Sequence, residues 1–92
     1  MSETFMTVTV EGAQVPISAA SVKNITNIVN KHIDDNRELN YLGLVRRFPE
    51  SVFIVPILIQ FEPDVEDIFD NLGSAEAEEV ERLALQVLKN RG

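Results

Sequence analysis

The chain has no cysteine and a single histidine. The first absence excludes disulfide frameworks, thiolate zinc sites and cysteine nucleophiles. The second leaves no pair of imidazoles for a catalytic metal site. Glycine is sparse and scattered, at positions 12, 43, 73 and 92, so no glycine-rich loop is present to cradle a phosphate. Basic residues are few: 8 Lys and Arg stand against 15 Asp and Glu, a formal net charge of −7. That balance argues against a grip on a nucleic-acid backbone or an anionic membrane. The most apolar uncharged run, SVFIVPILIQF from Ser51 to Phe61, falls short of the about 20 residues a bilayer span needs. The opening Met1-Ser-Glu-Thr-Phe-Met has no basic run before an apolar stretch, so no secretory leader is expected and the expected location is cytoplasmic.

What is present suits a small globular protein. The 92 residues are enough for one domain, and 45% hydrophobic with 25% charged residues is a folding composition. A β-hairpin is expected over 4–10 and 13–17, where Phe5, Val8 and Val10 interleave with Thr4, Thr7 and Thr9 before the Glu11-Gly12 turn. Pro16 cannot donate to a ladder, so the second strand should lie at an edge or end there.

Helices are expected throughout 18–92. Ser18 reads as an N-cap, with Ile17 and Val22 as a hydrophobic staple. Val22, Ile25, Val29 and His32 then fall at helical spacing until Asp34-Asp35-Asn36 ends the run. A short helix should carry Leu39, Leu42, Val45 and Phe48, with Arg46 and Arg47 at its negative end. Pro49 suits the first position of the helix after it. Pro56 fits neither a central strand nor a helix interior, which predicts a buried helix kinked or restarted there with Val55 extended. Glu62-Pro63-Asp64 opens an acidic turn or short helix carrying Val65, Ile68, Phe69 and Leu72, closed by Gly73 in the left-handed region. Ser74 should cap a last helix striped by Val80, Leu83, Ala84, Val87 and Leu88, with Glu78 and Arg82 paired four apart. The fold class expected is α+β: an N-terminal hairpin followed by a bundle of four to five short helices.

Catalytic signals are missing. His32, Asp34 and Asp35 form the nearest approach to a metal set, but their spacing matches no ligand pattern. The serines read as caps or surface residues, and no nucleophile elbow occurs. A non-enzyme without cofactor or metal is therefore expected.

Two features point to a partner. Residues 62–92 hold nine acids and three bases, so the negative charge belongs to the C-terminal third. A row of carboxylates can imitate a nucleic-acid backbone, which gives one reading: a small acidic inhibitor or antitoxin-like protein occluding a basic site on a nucleic-acid-binding protein. The run 51–61, with Phe61 at its end and Phe69 beyond, carries more apolar bulk than one face of a short helix normally buries. The candidate partner-binding residues are Val52, Phe53, Ile57 and Phe61, with Leu85 beside the stripe of the last helix.

In order and texture the elements resemble the tail assembly chaperones of long-tailed bacteriophages. The matching segments are the hairpin TVTVEGAQVPIS, the stretch LGLVRRFPESVFIVPILIQFEPDVEDIF and the acidic helix AEAEEVERLALQVLKN. The resemblance implies a chaperone that coats the helical tape-measure protein until tail-tube subunits polymerise around it, in the host cytoplasm. It also implies a longer frameshifted product, with which codons for Leu88-Lys89-Asn90 are compatible. Repeated weak contacts along a long client favour a homo-oligomer. Neither nucleic acid nor membrane is expected as a partner.

Overall fold

The computed structural model describes residues 4–90 and has an α+β fold. Strands β1 (Thr4–Val10) and β2 (Ala13–Ser18) form a two-stranded antiparallel sheet. Their two-residue turn has φ of 49° at Glu11 and 82° at Gly12, the positive pair that matches the right-handed twist of flanking strands. Val8 pairs with Val15 and Val10 with Ala13, so Met6, Val8 and Val10 share the inward row with the buried Val15 and Ile17. Phe5 does not join the valines. It falls on the odd-numbered face with the exposed Thr7 and Thr9, opposite Met6, Val8 and Val10, and is 60% exposed. Pro16 stands opposite Thr7 within β2, as a strand with a free edge allows.

Helix α1 (Ala19–Asp34) starts where the Ser18 hydroxyl accepts from the Ser21 N–H at 3.1 Å. Ile25 and Val29 are its buried face. Asn36, at φ 56°, reverses the chain. Its N–H donates to the Ile33 carbonyl at 3.1 Å, and the Arg37 N–H donates to that of His32 at 2.8 Å. This is a Schellman ending with asparagine in the left-handed position.

Helix α2 (Tyr41–Arg47) begins later than Leu39, because Asn40 caps it with Oδ1 accepting the Gly43 N–H at 2.6 Å. Leu39 instead makes a parallel bridge with Phe69. Asp70 completes the junction, its carboxylate accepting from the Asn40 amide at 2.7 Å and the Tyr41 N–H at 3.0 Å. The Tyr41 and Phe69 rings meet edge to face with centroids 5.5 Å apart. Burial pushes the Tyr41 hydroxyl above its ordinary pKa.

Helix α3 (Ser51–Phe61) corrects two expectations. Pro49 lies before it rather than at its first position, and Glu50 occupies the cap. The helix runs unbroken through Pro56, with Val55 helical and buried rather than extended. Pro56 sits on the exposed side, so its ring is kept out of the packed interior while tertiary burial of Ile54 and Val55 holds the segment helical. A 3-10 helix, Pro63–Ile68, follows and buries Val65.

Helix α4 (Ser74–Asn90) is not capped by Ser74, nor is Gly73 left-handed. The Gly73 carbonyl takes the first helical bond from the Ala77 N–H at 2.9 Å, and Glu76 accepts the Gly73 N–H at 3.0 Å. Gly73 is thus the N-cap, with half of a capping box supplied by the glutamate. The stripe Val80, Leu83, Ala84, Val87 and Leu88 is half-buried rather than core.

One cluster unites β2, α1, α2, α3 and the 3-10 helix through Val15, Ile17, Ile25, Val29, Leu44, Ile54, Val55 and Val65. Leu42 and Val45 are buried outside that cluster, on the helix against which α4 packs. Arg46 clamps α2 to α4 by donating from Nε and Nη2 to the two Glu79 carboxylate oxygens, at 2.7 and 2.8 Å. It is the one ion pair among the described residues, so the Glu78–Arg82 pair is not made. Arg82 lies close enough to Glu79 to add to the pull of Arg46, and together they hold that carboxyl below its ordinary pKa.

Candidate functional site

The apolar residues singled out above lie on two helices. Four belong to α3, whose polar residues are only Ser51 and Gln60. A helix hydrophobic on all sides belongs deep in a core, yet α3 fully buries only Ile54, Val55 and, unusually, Ser51. Helical spacing places Phe53, Ile57 and Phe61 in one row at four-residue intervals, with Val52 on the opposite flank. Val52, Phe53 and Ile57 are half-buried, and Phe53 packs on the core. Phe61 is 80% exposed. Its ring borders a cleft of about 80 Å³ together with Thr26, Asn30, Leu58 and Val65. The α3 row therefore runs from the core outward to a bare phenyl group.

Leu85 lies apart from that row, on α4, which packs chiefly on α2. It is 52% exposed and borders a shallow, mostly apolar cleft of about 560 Å³ with Arg82, Gln86, Leu88 and Lys89. Leu85 and Leu88 supply the greasy floor, and the stems of Arg82 and Lys89 extend it under charged tips. The exposed Phe5 adds a third apolar point, on β1.

Compared with protein families, curated proteins and solved structures, the chain has no match. Its surfaces must speak for themselves. The sequence reading marked Leu85 and the α3 residues but passed over Phe5, which it grouped with Val8 and Val10 although an odd position shares the outer face of Thr7 and Thr9. It also passed over Arg82, Gln86 and Lys89, whose role as rims becomes visible once the buried side of α4 is known.

Nδ1 of His32 donates to the Ile28 carbonyl one turn back, at 2.8 Å, a bond that fixes the tautomer or the imidazolium. Among the described residues no three His, Asp or Glu side chains converge as metal ligands. Among them too, no helix is long and apolar enough to cross a membrane.

Proposed function

We propose that this chain is a non-enzymatic escort for an apolar helical client, acting in the host cytoplasm as a phage tail assembly chaperone acts on its tape-measure protein. The observation that carries the proposal is α3: eleven residues, nine of them apolar, with Phe61 left 80% exposed at its end. A helical client presents anchors at i, i+3, i+4 and i+7 and needs apolar bulk to receive them. Ile57 and Phe61 supply that bulk on one flank of α3, Val52 on the other, and Leu85 on α4. The half-buried Phe53 braces the α3 row from the core side. The net charge of −7 keeps a loaded complex dispersed by like-charge repulsion. Self-association would multiply these modest contacts along a long client.

Co-expression with a tape-measure fragment tests the proposal. The soluble share of the fragment should rise several-fold with the wild-type chain. It should return to the baseline with Phe61→Ser combined with Leu85→Ser, two exposed sites whose change spares the core. An equal precipitate with and without the chain would overturn the proposal. The complex should also survive added salt, since apolar burial is not screened as contact between opposite charges is; steep dissociation in salt would favour an acidic decoy instead.

A further inference from the structure

Three of the chain's eight lysines and arginines line one cleft, in a molecule with almost twice as many acids as bases. The cleft has a volume of about 250 Å³ and is bordered by Lys31, His32 and Asp35 of the α1 terminus, Arg37 just beyond it, and Arg47 at the end of α2, with Ile28 as the apolar wall. Local backbone chemistry builds it. The reversal at Asn36 turns Arg37 back beside Lys31 and His32, held by its N–H bond to the His32 carbonyl. Arg47 is steadied from the other side, its guanidinium carbon 5.2 Å from the centroid of the Phe48 ring.

These cations make no ion pair among the described residues, although Asp35 shares their cleft and Arg37 also borders a neighbouring one with Glu38, Asp64 and Asp67. The one ion pair among the described residues is Arg46–Glu79, elsewhere on α2. Two helix C-termini near the cleft contribute about half a negative charge each, and Asp35 contributes one. Among the residues that line the cleft itself, three cations face one carboxylate. Two planar guanidinium groups beside an ammonium form a donor set suited to tetrahedral oxyanions. The volume is several times the about 30 Å³ of a water molecule, leaving room for a substituent on the anion.

We infer that the cleft between the ends of α1 and α2 binds a phosphate group, free or carried by a small monoester, through Lys31, Arg37 and Arg47. The inference is independent of the escort proposal, since it uses none of the apolar residues. His32 has only Nε2 left for the ligand, because Nδ1 is taken by Ile28. Asp35 opposes the anion and tunes the affinity downward.

The test is a backbone amide NMR titration of the full chain with inorganic phosphate, and in parallel with glycerol phosphate, at constant ionic strength. Saturable shifts should concentrate at residues 31–37 and 47. Arg37→Gln and Arg47→Gln should each weaken binding roughly three- to fivefold, whereas Lys23→Gln, an equal change of charge on the exposed side of α1, should leave it unaltered. Asp35→Asn should tighten binding, an effect that a purely structural role for these residues does not produce. Tighter binding of glycerol phosphate than of phosphate assigns the site to a monoester, and the reverse assigns it to the free ion. Non-saturating shifts, shifts of equal size around Lys23, or equal losses in Lys23→Gln and Arg47→Gln would overturn the inference. So would binding of a glutamate-rich peptide without binding of phosphate.

Discussion

Ser51 is the residue most at odds with its surroundings. It is fully buried, and its hydroxyl finds no hydrogen-bond partner. An unsatisfied buried hydroxyl costs about 1–3 kcal/mol of desolvation without return. Ser51→Ala should therefore stabilise the fold by about 1 kcal/mol, raising the melting temperature by about 4–8 °C in a domain of this size; an unchanged or lower melting temperature would mean that the hydroxyl is satisfied after all. The glycines behave less uniformly than their shared freedom suggests. Gly12 uses its positive φ to close the hairpin, whereas Gly73 serves as a helix cap with ordinary geometry.

At the scale of elements, α3 shows tertiary packing overriding local preference. A proline inside a helix removes one backbone bond and crowds the preceding turn, at a cost of about 3 kcal/mol. Pro56→Ala should restore the bond to the Val52 carbonyl and stabilise the fold by about 1–3 kcal/mol, part of the gain being lost to a freer unfolded chain. Chemical denaturation measures it, and a lower midpoint at unchanged slope would contradict it. The hairpin, its turn, the Ser18 cap and the end of α1 were legible in the sequence because each is decided within a few residues. The Val55 geometry and the cap of α4 were not, since both depend on what the rest of the fold buries or bonds. The same division applies to the surfaces. The apolar excess of residues 51–61 is plain from composition, but which flank stays bare is settled by α1, α2 and the 3-10 helix. The gathering of Arg37 and Arg47 in one cleft has no trace in sequence spacing.

For the molecule as a whole, the Arg46–Glu79 clamp ties α4, a helix with no fully buried residue among the described ones, to the body of the fold. The guanidinium holds the Glu79 carboxyl below its ordinary value. A group whose pKa is lowered by folding stabilises the native state above its unfolded value and loses that contribution as pH falls through the folded one. Melting temperature should therefore decline on acidification below about pH 4.3, and Arg46→Gln should melt lower at neutral pH while showing a shallower decline through the acid range. Parallel acid profiles for the two proteins would show that the clamp is too well solvated to matter.

The Leu39–Phe69 junction joins positions thirty apart in the chain, and closing a loop of that length costs about 3 kcal/mol in chain entropy. Its two backbone bonds, Leu39 N–H to the Ile68 carbonyl at 2.6 Å and Asp70 N–H to that of Leu39 at 3.1 Å, return about 1 kcal/mol each. Alone they cannot keep the clasp shut. The Asp70 carboxylate and the crossed rings of Tyr41 and Phe69 add to them, and the packing of the 3-10 helix on α1 holds the same two stretches together from the other side, so the strength of this fastening is shared between polar and apolar partners rather than resting on the bridge.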